Sequence, residues 1–187
     1  FSIVSLGLGI TSQVALYKPL SDSDWSKING VLSATHYFFK KTGIIFAVLI
    51  LITALLFPFL GNPVISKQTI FLIIIIDGIG AISEYILISK YKILLAADQK
   101  QNIISNIQSI GIIFTTIFSV VLIFYHFSII FVILASTISY FIRLFLTIKY
   151  VKKSYPNINF NKRPDFSALE GKWQAFSYQI SNMIINY

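Results

Sequence analysis

Three charged side chains stand where a charge is least expected, inside long apolar stretches. Asp77 and Glu84 belong to one stretch (IIIIDGIGAISE, residues 73–84), and Arg143 lies in another. An ionised side chain at the centre of a bilayer costs at least about 2.5–3.5 kcal/mol on insertion scales. Charges kept at that cost usually mark an internal ion pair or a polar cavity.

The two carboxylates share one helical face. Asp77 and Glu84 are seven residues apart, which is about two helical turns and roughly 10 Å. Gly80 and Ala81 lie between them, and such small residues let a neighbouring helix approach closely. We therefore treat Asp77 and Glu84 as candidate carboxylates for H⁺ or Na⁺ coupling or for a structural role. Glu84 and Arg143 also lie close enough to the ends of their segments to reach the water interface.

Arg143 should face the interior of a helix bundle. At helical spacing its face also carries Ser136, Ser139, Tyr140 and Thr147. Depth below the outer membrane surface can be estimated by counting each segment from its outer end at 1.5 Å per residue. Glu84 then lies roughly 22 Å deep and Arg143 roughly 24 Å, whereas Asp77 lies roughly 12 Å deep. Equal depth predicts an ion pair between Glu84 and Arg143, with Asp77 nearer mid-membrane and unpaired.

A polar stripe marks one face of a further apolar segment. Its members, spaced three, seven and four residues apart, are Ser105, Gln108, Thr115 and Ser119. Such a face packs on helices or lines water. The candidate substrate-binding or cavity residues are therefore Arg143, Gln108, Tyr140 and Ser136. The sequence holds no phosphate-binding loop, histidine metal cluster or catalytic triad, so we expect no catalytic residues, no metal, no cofactor and no enzyme activity.

The elements that position these residues are membrane helices. The chain is 56% hydrophobic and 12% charged, whereas soluble domains carry about 25% charged residues. The apolar stretches are too long for strands and long enough to span a bilayer as helices. We predict an all-α, polytopic transmembrane bundle. Its spans lie near residues 1–17, 42–60, 69–89, 103–124 and 127–148, and another starts within 173–187.

Basic residues predict the orientation. Thirteen Lys and Arg residues fall in one set of connections and only Lys67 in the other, so the basic connections should be cytoplasmic. The net charge of +8 then indicates contact with anionic membrane lipids and no nucleic-acid partner.

Two cytoplasmic segments have features of their own. Pro19 should end the first span, and Ser21, Asp22 and Ser23 offer caps for an amphipathic helix near residues 24–41 that leads into the next span. Residues 149–172 are polar, contain two prolines and form the best candidate linker. Because the chain opens at Phe1 inside an apolar stretch, we expect a fragment of a longer protein.

Two stretches resemble a known family. Residues 7–20 (GLGITSQVALYKPL), followed by an acidic cap and Lys27-Ile28-Asn29, look like the end of the second span of bacterial polysaccharide repeat-unit (Wzx-type) flippases. Residues 85–100 (YILISKYKILLAADQK) are similar to the loop that joins the fourth and fifth spans of the same family. These belong to the multidrug/oligosaccharidyl-lipid/polysaccharide superfamily. The resemblance covers essentially the whole chain, as spans two to six and the start of seven.

The resemblance implies the N-terminal lobe of a two-lobe, MATE-like transporter of the bacterial cytoplasmic membrane. Residues 149–172 would join the lobes, and the second lobe would lie beyond the chain. The implied function is flipping of undecaprenyl-pyrophosphate-linked oligosaccharides to the outer leaflet by alternating access. Three alternatives stay open. One is a cation-coupled exporter of small molecules, which Asp77 and Glu84 fit, and another is a membrane-embedded glycan-processing enzyme, which the short outer loops disfavour. The third is a membrane scaffold that transports nothing.

Overall fold

The structure is a computed structural model that describes residues 2–60, 65–160 and 162–171, together with residues 174, 177 and 181. These residues form helices and no strand, so the all-α prediction is confirmed. The α-helices are α1 (Ser2–Ser21), α2 (Trp25–Leu56), α3 (Lys67–Ser83), α4 (Ser89–Ala97), α5 (Gln101–Phe124) and α6 (Ile129–Ser154). Two 3₁₀ turns, Phe57–Phe59 and Ser167–Leu169, and a π-helical turn, Glu84–Ile88, complete the described elements.

Four helical segments are long and apolar enough to cross a membrane. They are Trp25–Phe59, Lys67–Ala97, Gln101–Phe124 and Ile129–Ser154. Each overlaps one of the spans predicted at 42–60, 69–89, 103–124 and 127–148. Over the described residues α1 is not among the four, although it overlaps the predicted span at 1–17. Its serines, glycines, threonine and glutamine lower its mean hydropathy.

The first helix ends later than predicted. α1 runs to Ser21 with Pro19 inside it, so the prediction that Pro19 ends the helix is wrong. A proline removes one hydrogen bond to the preceding turn. That loss is tolerated here because Pro19 falls in the last turn. The chain then reverses through Ser23, whose φ of 53° is left-handed.

The predicted amphipathic helix and the span after it are one helix, α2. Its cap is Asp24, one residue beyond the predicted capping residues: the backbone N–H of Lys27 donates to Asp24 Oδ1 at 3.1 Å. The Lys27 ammonium also lies 3.3 Å from Asp24 Oδ2. The backbone hydrogen bond from Lys27 lowers the pKa of the Asp24 carboxyl. The cap therefore stays charged at neutral pH, which favours a helix N-terminus.

The chain divides into two compact units. Unit 1 comprises Phe1–Lys40, Ser89–Ile104 and Ile148–Tyr187, and unit 2 comprises Lys41–Ile88 and Ser105–Thr147. Unit 1 has a core of fully buried large apolar side chains. Its members include Leu16, Ile28, Leu32, Phe39, Leu94, Leu95, Val151 and Leu169.

Unit 2 differs from unit 1 in which side chains it buries. Most of its large apolar side chains are exposed, among them Ile44, Leu56, Ile112, Val120 and Phe145. Its buried positions are mainly small or polar, and they include Gly78, Gly80, Ala54, Thr137 and Ser139. Outward apolar residues around a small-residue interior are the arrangement expected of helices that face lipid.

The predicted linker at 149–172 begins inside α6, which continues to Ser154. Beyond it, the described residues of 155–169, here called the strap, are tied to α2 within unit 1. Asn29 donates from Nδ2 to the Asn157 carbonyl at 3.0 Å, and its Oδ1 accepts from the Asn159 N–H at 2.9 Å. The predicted span starting at 173 lies outside the described residues, apart from Gln174, Ser177 and Ser181.

Candidate functional site

The candidate site lies in unit 2 and is centred on Arg143 of α6. Arg143 Nη2 is 3.3 Å from Glu84 Oε2, and the two side chains are only 16% and 21% exposed. The ion pair predicted from equal depth is therefore confirmed. Because both charges are mostly buried, each depends on the other: removing one partner would leave an uncompensated charge.

Tyr140 and two glycines fix where the guanidinium lies. The Arg143 guanidinium carbon sits 4.4 Å from the centroid of the Tyr140 ring, one turn earlier on α6, in a cation–π contact. A Cβ on Gly80 would fall 2.5 Å from Tyr140 Cδ2, and one on Gly111 would fall 2.6 Å from Arg143 Cδ. Both glycines therefore accept α6 side chains at distances that no other residue type allows. The sequence indicated this for Gly80 but not for Gly111.

A side-chain hydrogen bond joins α6 to α3 beside the same site. The Thr137 hydroxyl, which is buried, donates to the Ile76 carbonyl at 3.1 Å. Thr137 lies one turn before Tyr140 on α6, and Ile76 immediately precedes Asp77. Thr137, Tyr140 and Arg143 thus give α6 three successive contacts that set its depth against α3.

A cavity of about 210 Å³ opens beside the guanidinium between α5 and α6. Its lining residues are Gly111, Ile112, Thr115, Thr116, Ser136, Ser139, Tyr140 and Arg143. Three of the four predicted cavity residues (Arg143, Tyr140 and Ser136) therefore line one cavity. The fourth, Gln108, is half-buried one turn before Gly111 and does not line it.

The hydroxyl groups of the cavity present acceptors. Ser136 Oγ donates to the Ile133 carbonyl at 2.8 Å and Thr115 Oγ1 to the Gly111 carbonyl at 3.0 Å. Because each hydroxyl donates its hydrogen bond to a backbone carbonyl of its own helix, its oxygen lone pairs remain to accept a hydrogen bond from a ligand. The buried Arg143 Nε–H has no acceptor among the described residues. The wall thus combines a guanidinium with several hydroxyl acceptors.

Asp77 is not part of this arrangement. Its side chain is exposed, and within the described ranges it makes no hydrogen bond or ion pair. Its charge nevertheless lies within electrostatic range of the Tyr140 phenol. The structure therefore separates the two carboxylates: Glu84 is paired with Arg143, and Asp77 is left facing outward from α3.

A π-helical turn, Glu84–Ile88, begins at the paired carboxylate. A π turn inserts one residue into the helix, and such turns are frequent at functional sites. Tyr85, the next residue, is buried, and its ring lies 5.6 Å from that of Phe46 in an edge-on contact. The turn thus directs Glu84 toward α6 and Tyr85 toward α2. No residue type in this segment signals a π turn, so sequence reasoning missed it.

A second polar cluster lies in unit 1, in the stretch that carried the family resemblance. Tyr155 Oη donates to Asp98 Oδ2 at 2.5 Å, and Lys100 Nζ lies 2.7 Å from the same oxygen and 3.1 Å from Tyr155 Oη. The hydrogen bond to Asp98 raises the pKa of Lys100. Burial, reinforced by the bond to Asp98, raises the pKa of Tyr155 to about 12. Burial opposes ionisation of Asp98, but the bonds from Lys100 and Tyr155 outweigh it and lower its pKa.

This cluster, Asp98–Lys100–Tyr155, fastens the α4–α5 turn to the end of α6. The turn reverses at Gln99, whose φ of 57° is left-handed, and the Lys100 N–H closes it on the Leu95 carbonyl at 2.8 Å. The sequence showed the residues of the turn but not the partner, because Tyr155 is more than fifty positions away.

Metal binding has no support in the described part of the chain, where no group of three potential ligands comes together. No family model, curated protein or solved structure matches the chain.

Proposed function

We propose that the chain forms part of a transporter that moves undecaprenyl-pyrophosphate-linked oligosaccharides across a bacterial cytoplasmic membrane. In this proposal it is one lobe of a two-lobe, MATE-like protein and is not an enzyme. The observation that carries the proposal is the cavity between α5 and α6, where a guanidinium lies among hydroxyl groups inside helices able to span a membrane.

The chemistry of the cavity suits such a cargo. A pyrophosphate is anionic and accepts charge-assisted hydrogen bonds, which Arg143 is built to donate. The hydroxyls of sugar rings are donors as well as acceptors, and the lone pairs of Thr115 and Ser136 accept from them. With a volume of about 210 Å³ the cavity is small for a whole repeat unit, so it would hold one part of the cargo.

The Glu84–Arg143 pair gives the cavity two states. With Arg143 paired to Glu84, the guanidinium charge is neutralised and the attraction for an anion is weak. When cargo binds or Glu84 takes up a proton, Arg143 is released toward the anion. Exchange of one partner for another is how intramembrane charges commonly switch affinity without exposing an unpaired charge to lipid.

The decisive experiment measures transport by the complete protein in proteoliposomes. The probe is a fluorescent undecaprenyl-pyrophosphate-linked oligosaccharide, and its flipping is followed by protection from an impermeant quencher. We expect Arg143→Ala to lower the flipping rate at least about tenfold, because it removes one charge-assisted hydrogen bond to the cargo. Thr115→Val should lower it about threefold.

Thr53 offers a matched control for Thr115. Its hydroxyl donates to the carbonyl four residues earlier at 2.8 Å, as that of Thr115 does, but Thr53 is exposed on α2 away from the cavity. Thr53→Val should leave the rate unchanged. Equal rates for the Thr115 and Thr53 variants, with Arg143→Ala active, would refute the proposal.

A second candidate, a cation-coupled exporter of small molecules, is favoured by one observation: α3 presents the exposed Asp77 carboxylate, which has no partner among the described residues. The same proteoliposomes distinguish the two functions. Accumulation of a cationic dye that is lost in Asp77→Asn, with no movement of the lipid-linked probe, would establish the exporter. Lipid-probe flipping that requires an H⁺ or Na⁺ gradient and is lost in Asp77→Asn would instead make Asp77 the coupling residue of the flippase.

A further inference from the structure

A lysine in unit 1 is buried without a counter-ion. The Lys90 side chain is 8% exposed, and the described part of the chain gives it no acidic partner. Its ammonium lies 4.3 Å from the centroid of the Phe160 ring and 5.3 Å from that of Tyr91. Two aromatic faces offset only part of the free energy that burial of an ammonium costs. The buried Lys90 ammonium is therefore not fully stabilised by the described residues around it.

His36 adds a second polar group without a partner at the same place. Its Nδ1 is buried and has no hydrogen-bond partner among the described residues. The imidazole lies 6.4 Å from Phe160 in an edge-on contact, and the charges of Lys90 and Lys40 both act on it. His36 and the Lys90 ammonium thus share the Phe160 ring, and the charges that act on the imidazole are those of lysines and of no described carboxylate, which is the composition of an anion site.

The strap covers this site and is held by separate bonds. Phe160, the ring over Lys90, belongs to the strap, and its backbone carbonyl accepts from Ser33 Oγ at 3.0 Å. The Asp165 N–H donates to the Gly30 carbonyl at 3.0 Å, and Asn29 holds residues 157 and 159. Since the Phe160 side chain supplies only ring contacts, displacing it would leave the backbone bonds that hold the strap intact.

The surroundings identify the source of the anion. Phe166 of the strap packs edge-on against Tyr37 and Phe38, with ring centroids 5.4 and 5.8 Å apart. Phe166 is 46% and Tyr37 50% exposed, and Lys40 beside them is exposed. Exposed aromatic rings next to lysines are typical of the headgroup region of a membrane. The phosphate of an anionic phospholipid can approach from that side.

We propose that Lys90 and His36 form a binding site for the phosphate of an anionic phospholipid headgroup, with Phe160 as the aromatic cover that the headgroup displaces. The site is independent of the transport proposed above. It lies wholly in unit 1 and uses none of the cavity residues, so a failure of either proposal leaves the other untouched.

The test measures lipid binding by the complete protein in a neutral detergent. Thermal unfolding midpoints are followed as phosphatidylglycerol is added, with phosphatidylcholine and inorganic phosphate as separate arms, and apparent Kd values are taken from the titrations. We expect phosphatidylglycerol alone to stabilise the wild type. Lys90→Gln should weaken its binding about tenfold, whereas Lys153→Gln, the same change at an exposed lysine, should leave it unchanged.

Phe160→Ala distinguishes a cover from a structural contact. If Phe160 competes with the headgroup, its removal should tighten phosphatidylglycerol binding about threefold to tenfold, opposite in sign to Lys90→Gln. Unchanged or weaker binding in Phe160→Ala, or equal binding in the Lys90 and Lys153 variants, would overturn the proposal. A response to inorganic phosphate as large as that to phosphatidylglycerol would overturn the lipid source. Should Lys90→Gln fail to fold, the sign of the Phe160→Ala effect decides alone.

Discussion

The two units differ in their charge and in the kind of side chain that each one buries. Unit 1 carries twelve basic and five acidic residues, a formal charge of +7, and unit 2 carries three and two, a charge of +1. Unit 1 buries large apolar side chains and ties loops to helices with side-chain hydrogen bonds, as soluble proteins do. Unit 2 exposes its large apolar residues and brings helices together at glycines.

The glycines show the difference most directly. At each of four glycines of unit 2 an added Cβ would fall within 3.0 Å of a neighbouring side chain; they are Gly43, Gly78, Gly80 and Gly111. In unit 1, Gly9 has open space within 4 Å, Gly171 has only an ordinary contact, and Gly30 meets Asp165 at 3.2 Å. Where lipid removes the hydrophobic driving force between helices, close van der Waals packing and a few polar contacts must replace it.

The largest effect should come from breaking the Glu84–Arg143 ion pair of unit 2. Arg143→Gln with Glu84 retained should cost about 3–5 kcal/mol of unfolding free energy, since it removes the cationic partner of a largely buried carboxylate. The double variant Glu84→Gln/Arg143→Gln should recover most of that loss. Equilibrium unfolding in mixed micelles measures the cycle. Additive costs of the two single changes would show that the pair contributes no coupling.

A smaller effect should come from filling one glycine in each unit. In Gly111→Ala the new methyl group meets the Arg143 stem, which should cost about 1–3 kcal/mol. Gly9→Ala, with open space around it, should be neutral or stabilise α1 by up to about 1 kcal/mol. Unfolding of the two variants under the same conditions compares the units directly. A cost at position 9 as large as that at 111 would remove the distinction.

The smallest effect concerns the Asp98–Lys100–Tyr155 cluster of unit 1. Tyr155→Phe should cost about 1 kcal/mol at neutral pH, the value of one ordinary hydrogen bond. Tyr155 and Lys100 hold their protons more tightly in the folded state, so the stability they provide is complete below pH 10 and is lost as the pH rises toward about 12. Unfolding midpoints should therefore fall more steeply with rising pH in the wild type than in Tyr155→Phe. Parallel curves would show that the cluster does not contribute to stability in this way.

What the sequence predicted well was set by hydropathy and helical geometry. Apolar runs such as 103–124 have one solution in lipid, a helix, because every backbone polar group must be satisfied within the segment. Equal depth sufficed to pair Glu84 with Arg143, since few partners exist for a charge inside a membrane. Gly80 was recognisable as a close contact because it is a small residue one helical turn before Glu84, where a neighbouring helix can approach.

What the sequence did not show depends on contacts between distant residues or on turns without a signature. The reversals at Ser23, Gln99 and His126 take left-handed φ values without a glycine, so nothing in their composition announces them. The π turn that begins at Glu84 has no sequence signature either. The strap is polar and proline-containing, as a flexible linker would be, and only the partners of Asn29 show that it is fastened.

The separation of Glu84 and Arg143 along the chain has a consequence for biogenesis. They lie roughly 60 residues apart, and synthesis at ~5–20 residues per second means that α3 precedes its partner by about 3–12 s. During that interval the Glu84 carboxylate has no arginine, so α3 stays at the aqueous edge of the bilayer or carries Glu84 protonated. We expect the arrival of α6 to draw α3 to its final depth, because Glu84 then meets Arg143. A ribosome stalled before Arg143 should therefore leave α3 shallow.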